Sequence, residues 1–337
     1  MPKYTVAFLL CLLLVIPVAV FADAERAGPP EGVKAAARPV FDVDGVVYVD
    51  AADDGFVEIG VANIGLRTAV EARLRQLGIP LSLVRIVETK PVFELATLRD
   101  EIRPLVGGLQ IAFVKGGLVY VCTLGFNAVQ NGVEGFLTNS HCTTSEFKQD
   151  GTIEYQPLPN KQVGQELKDP QPFSCGVARA KCRWSDAAFI RRFDGVTASL
   201  GIIAATTGVN DGSLTIAGGF QLVGGHEGNA QTGTVLRKVG RTTGQTEGTV
   251  DKTCVDVRPS GSNVIRLCQD IVSAAVQIVA GGDSGSPVFR ISDDPATPLV
   301  EVFLYGILWG GTSDGKSFVY SPLSNIITDL GPLQTTG

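Results

Sequence analysis

Histidine is nearly absent from these 337 residues: there are two, alongside one methionine and two tryptophans. With so few histidines and no CxxC pair, the usual zinc ligand sets cannot be assembled, so no metal is expected. No run of Lys or Arg occurs, and a formal charge of -6 leaves no basic face for phosphates, which excludes nucleic acid as an expected partner. Charged residues make up only 18% of the chain against 45% apolar ones, a balance that argues against disorder and supplies a large core. Long helical periodic runs are also scarce. Forty glycines and 18 prolines favour short strands joined by turns, so the composition leans to all-β.

Only the N-terminus carries an apolar run of near-spanning length. Lys3 supplies one positive charge, residues 6–21 are apolar, and Ala22-Asp23-Ala24 follows. This predicts a secretory signal peptide over 1–24, processed after Ala22 or Ala24; a retained anchor is the alternative. Cleavage would leave a chain exported to the extracellular or periplasmic space without stable membrane association. Removing Cys11 turns seven cysteines into six, an even number that reads as three disulfides in an exported chain. The spacings suggest local pairs: Cys122–Cys142, Cys175–Cys182 and Cys254–Cys268.

Residues 25 to about 40 lack periodicity and read as a flexible leader. From 41 to 104 a small α+β unit is predicted: the strand-like VVYVD and FVEIGVA, then Leu66, Val70, Leu74 and Leu77 at helical spacing up to Gly78 and Pro80, then LSLVRIVE. FELATLRDEIRP adds a short charged helix or linker that stops at Pro104. Over 105–337 short alternating runs follow one another between turn residues, among them LQIAFV, LVYVCTLGF, EGFLTNSHC, SDAAFIRRF, GTVLRKVG, NVIRLCQDIV, SAAVQIV, SPVFRI, LVEVFLYGIL and FVYSPL. That rhythm predicts a β-sandwich or barrel pair, closed by a helix within 321–330.

A serine becomes a nucleophile when a base takes its proton, and the usual base is a histidine held in one tautomer by a carboxylate. His226 lies in the Gly-rich LVGGHEGNA, whereas His141 follows the apolar EGFLTNS beside Cys142, where a base could be held rigidly. Ser284 sits in Gly281-Gly282-Asp283-Ser284-Gly285-Ser286, whose glycines allow the N–H groups of Gly282 and Ser284 to point at one spot and hold an oxyanion. Asp186 opens an apolar strand, while Asp150, Asp169, Asp211 and Asp251 lie in polar, turn-like surroundings. A buried Asp186 would need a partner such as the His141 ring N–H. Each also has an ordinary reading: a plain histidine, a hairpin turn and a turn cap. The order His, Asp, Ser excludes the α/β-hydrolase arrangement, in which the histidine comes last.

With these motifs in place, the chain from about Leu105 resembles the chymotrypsin-like serine proteases, most closely the bacterial streptogrisin and α-lytic protease group. The matching pieces are LVGGLQI, CTLGF, GFLTNSHC, SDAAFI, VGRTTGQTEGTV, GGDSGSPVF, GILWGG and FVYSPL. The resemblance implies two Greek-key six-stranded β-barrels with a C-terminal helix, a monomer, no cofactor, and cleavage of protein or peptide substrates through an acyl-enzyme. It implies His141, Asp186 and Ser284 as the triad, the N–H groups of Gly282 and Ser284 as the oxyanion hole, and Cys122–Cys142 as the disulfide beside the histidine. It also implies an internal arginine, Arg237 or Arg241, as partner of Asp283, and a removable pro-region within 25–104 cut near Pro104 to Gly107, with a permanent accessory domain as the alternative. In the pocket, Trp309 falls where the family has a serine before Gly310 and Gly311, and Ile278 stands where a basic-specific enzyme has an acid. A small or apolar residue before the cut bond is the expectation. A non-catalytic binding module and an esterase on the same fold are the alternatives.

Overall fold

The computed structural model describes residues 29–92, 95–226, 228–292 and 299–337. The predicted signal peptide lies outside them. No helix among the described residues is long and apolar enough to cross a membrane. The chain divides into two compact units, the first ending at Glu94 and the second running from Leu95 to Gly337.

The first unit is a three-stranded sheet of Val46–Ala51, Val57–Val61 and Val84–Glu88 with the helix Arg67–Gln76. Its last two strands are parallel, Val57 opposite Val84, which requires a crossover that the helix supplies. That helix stops as its sequence predicts: the N–H of Gly78, at φ +72°, returns to the Arg75 carbonyl and that of Ile79 to Leu74, closing the last turn. Val70 and Leu74 bury its inner face against Val57, Ile59, Val61 and Ile86. The expected flexible leader is corrected over its described part. Pro29–Ala37 is helical and Arg38–Asp42 forms a 3-10 turn, because Ala37 and Val40 are fully buried in this same core.

The second unit holds two sheets. One runs in the order Leu118–Thr123, Gln110–Lys115, Ile153–Tyr155, Gln162–Lys168, Ala188–Arg192, Val133–Thr138, Asn127–Gln130, all antiparallel. The other runs Lys181–Arg183, Val264–Ser273, Gly244–Val257, Val235–Gly240, Pro287–Ile291, Val300–Gly311, Ile216–Gly225, Ala198–Thr206, Leu105–Gly107, with Ser317–Pro322 paired to Val264–Ser273 and Val300–Gly311. The sheets therefore have seven and ten strands, where six each were expected. Part of the excess is short edge pairing: Leu105–Gly107 adds in parallel to Ala198–Thr206, and Lys181–Arg183 to Val264–Ser273. Phe126, Phe136, Phe189, Phe289 and Ile307 anchor one core, and Leu236, Val272, Ile278, Val288 and Phe318 a second. The C-terminal helix spans Leu323–Leu330, as expected.

Two further expectations change. After Ser273, which ends the strand Val264–Ser273, SAAVQIV is a loop: Val276 is exposed, while Ile278 and Val279 are buried and donate their N–H groups to the Gly315 carbonyl. The charged segment before Pro104 forms no helix over its described residues 95–103. Thr97 bridges Thr215, Leu98 is fully buried, and the Leu98 carbonyl accepts the N–H of Gln110. This segment belongs to the second unit, which begins ten residues ahead of the expected boundary at 105 because Leu98 is one of its core residues.

Candidate active site

His141 lies in the short turn Ser140–Cys142 directly after the strand Val133–Thr138, and Asp186 lies just before Ala188–Arg192. These strands pair antiparallel with Ala188 opposite Thr138, so the end of one faces the start of the other. The turn is stitched to Asp186 by its backbone: the Asp186 carbonyl accepts from the Ser140 N–H at 3.2 Å and from Asn139 Nδ2 at 2.7 Å. A disulfide joins Cys142 to Cys122 on the strand Leu118–Thr123; Cys175–Cys182 and Cys254–Cys268 are also bonded.

Asp186 is fully buried. Its Oδ1 accepts the His141 backbone N–H at 3.1 Å, and its Oδ2 meets His141 Nδ1 at 2.9 Å. Burial alone would raise the Asp186 pKa, but Arg266 first, and then His141, hold it far below the usual carboxylate range. Burial also pulls the His141 imidazole down, yet the charge and hydrogen bond of Asp186 prevail and raise its pKa above the ordinary histidine value.

Ser284 sits in a tight turn whose shape depends on two glycines at positive φ, Gly282 at +94° and Gly285 at +95°. A Cβ on Gly285 would lie 2.0 Å from the Thr123 carbonyl oxygen, and one on Gly282 would lie 2.8 Å from Thr242 Oγ1, so no other residue fits without rearrangement. The Ser284 carbonyl accepts the Thr123 N–H, which ties this turn to the strand carrying Cys122. Among the described residues the N–H groups of Gly282 and Ser284 have no hydrogen-bond partner and remain available as donors. No hydrogen bond is formed between His141 Nε2 and Ser284 Oγ among the described residues; in free hydrolases this contact is often long and tightens on substrate.

Asp283 is where the sequence misled. Neither expected arginine holds it: Arg237 pairs with Glu247 at 2.6 Å, and Arg241 donates to Gln110 and Thr242. The partner is Lys238, fully buried with Nζ 3.3 Å from Asp283 Oδ2. The remaining oxygen valences of Asp283 take the N–H groups of Ala280, Thr242 and Thr243 and the Thr243 hydroxyl. Lys238 follows Leu236 at a spacing of two, and both face inward, whereas Arg237 lies on the other face. Strand alternation is compatible with an inward Lys238 but cannot name its anion, which lies 45 residues away. Lys238→Met should leave Asp283 buried without its hydrogen-bonded cation and cost about 3–5 kcal/mol of stability. Urea unfolding measures this, and a loss below about 1 kcal/mol would show that the backbone donors suffice.

Beside Ser284 lies a cavity of about 270 Å³ lined by Val279, Ala280, Leu308, Gly310, Gly311 and Thr312, without a charged side chain. Ile278, expected here, is instead fully buried in the core, one residue away from the wall formed by Val279. Trp309 does not line this cavity. Its Nε1 donates to Gln269 Oε1 at 2.8 Å, that oxygen accepts the Ser321 hydroxyl, and Ser321 Oγ accepts the Asp186 N–H. Trp309, Gly310 and Gly311 also wall a cleft of about 830 Å³ that includes His141, Glu146 and Arg266.

His226 stacks on Tyr305 at 4.2 Å and takes no part in this cluster. Of the rejected aspartates, Asp169 differs from its expected polar turn: it is buried and paired with Arg183.

No protein-family model matches the chain, and no curated protein does. Solved structures do. A glutamic acid-specific serine protease described as using a histidine triad in substrate binding shares 21% identity, covering 68% of this chain and all of its own, at a TM-score of 0.50. Thermobifida fusca protease A shares 23% identity over 68% of this chain and 97% of its own at a TM-score of 0.48, and the Nocardiopsis protease NAPase 22% over 69% and 98% at 0.47. At such identities a likeness establishes architecture, and the first of these carries it: the chain has the chymotrypsin-like fold of bacterial serine proteases, as its motifs led us to expect.

Proposed function

We propose that this chain is a secreted serine endopeptidase. Ser284 attacks the peptide carbonyl, His141 takes its proton and returns it to the leaving amine, and Asp186 holds the imidazole in the tautomer that this requires. The N–H groups of Gly282 and Ser284 receive the oxyanion. The observation that carries this reading is the buried Asp186 carboxylate bonded to His141 Nδ1, within a fold whose solved examples include serine proteases. Labelling by a fluorophosphonate tests it: the secreted chain is expected to take up one equivalent, and no uptake would remove the peptidase and esterase readings together.

The uncharged cavity beside Ser284 supports a small or apolar residue before the cut bond. Acid-specific recognition through three histidines is not open to a chain that has two. Residues 1–24 would serve as the export signal. A removable pro-region fits 25–94 better than 25–104, since Leu98 and Leu105 are core residues of the second unit.

The reaction requires neutral His141, whose pKa is raised from the ordinary histidine value because Asp186 favours the imidazolium more than burial opposes it. As pH falls through that raised value the base becomes protonated, so kcat/KM should fall about tenfold per unit on the acid side. A rate that stays level down to about pH 4 would remove His141 as the base.

A further inference from the structure

Arg266 arises from Val264–Ser273 at a position in phase with Val264, Asp270 and Val272, all of them buried. A guanidinium on that face is almost entirely removed from water and depends on protein partners, which among the described residues Nε and Nη2 have and Nη1 lacks. Its Nε donates to Asp186 Oδ2 at 3.0 Å, and its Nη2 reaches both that oxygen and, at 2.8 Å, Glu146 Oε1. Two rings contain it: Trp309 with its centroid 4.5 Å from the guanidinium carbon and Phe147 at 5.1 Å. Phe147 holds a left-handed backbone, φ +59°, a conformation that costs a bulky side chain energy and survives only where its surroundings impose it.

Asp186 Oδ2 is therefore shared between His141 Nδ1 and a permanent cation. We propose that Arg266 is a positioning residue of the active site: it keeps Asp186 ionised and oriented, and it extends catalysis to lower pH by weakening the carboxylate's hold on the imidazolium proton. The inference rests on the peptidase reading, in which His141 alternates between neutral and protonated forms. The charged groups facing His141 are Asp186 and Glu146, which favour its protonated form, and Arg266, which opposes it. The charge of Arg183 also favours ionised Asp186, and Arg183 is itself paired with Asp169 and Asp329. Among the described residues, Arg266 is a cation that hydrogen-bonds Asp186 and also opposes protonation of His141. Glu146, half-exposed at the mouth of the cleft, partly offsets it.

The test compares Arg266→Gln, Arg266→Lys and Glu146→Gln with the parent in the secreted chain. kcat/KM is followed against pH, fluorophosphonate titration counts competent sites, and the His141 ring is titrated by NMR. Arg266→Gln should move the acid limb and the imidazole titration up by about one pH unit. Arg266→Lys, which keeps the charge, should retain most of the parent profile. Glu146→Gln should move both in the opposite direction by a smaller amount. A purely structural Arg266 would lower the count of competent sites without moving the limb of those that remain, and that result overturns the proposal. Should Arg266→Gln fail to fold, Glu146→Gln decides: a downward shift supports the proposal, and no shift or an upward one overturns it. Absence of fluorophosphonate uptake by the parent would instead sink the peptidase reading, while the NMR titration still reports on Arg266.

Discussion

Ser284→Ala is expected to abolish fluorophosphonate uptake and to lower kcat by about 10⁶-fold, the loss typical of removing a nucleophile whose partners act as one unit. The fold should survive, because Ser284 is anchored by its backbone carbonyl to Thr123 and its hydroxyl makes no hydrogen bond among the described residues. Unchanged circular dichroism with lost labelling is therefore the predicted pair of results. Residual peptide cleavage within about a hundredfold of the parent would mean that another group performs the attack. The parent, assayed beside this variant, separates the alternatives. A parent that labels but cleaves esters and no peptides is an esterase, and one that never labels is a binding module on a protease fold.

Asp186→Asn should be nearly as damaging, lowering kcat by about 10⁴-fold, because an amide at this place favours the wrong imidazole tautomer. Here a second penalty follows. Arg266, which is 3% exposed on its side chain, would lose the carboxylate that takes both Nε and Nη2 and keep only Glu146. A buried cation left without its partner costs about 3–5 kcal/mol, so this variant should also unfold at lower urea, unlike Ser284→Ala. A variant that keeps full stability but loses activity would show that Glu146 alone satisfies Arg266. One that keeps activity within about tenfold would remove Asp186 from the mechanism.

The site was legible wherever its residues stand at the ends of regular apolar strands. The apolar runs EGFLTNS and AAFI placed His141 after one strand and Asp186 at the start of another, ends that the structure pairs, and glycines marked the turn at Ser284. It was illegible where a charge enters the interior. Lys238 and Arg266 each occur at an inward position of a strand, but a single long cation in a run of mixed residues reads as an exposed one until its anion is known. Their anions lie 45 and 80 residues away, and no local pattern carries that distance.

By itself the sequence determined the β architecture, the chain order of the three candidate groups and the glycines of the Ser284 turn, because these follow from short-range periodicity and steric limits on φ. The tertiary structure decided which cation holds Asp283, that Ile278 is core while Val279 lines the cavity, and that residues 95–104 belong to the second unit. It also decided that the Asp186 carboxylate serves two partners. Those outcomes depend on what a buried charge or methyl meets across the core, which is a property of packing between distant strands and not of any window along the chain.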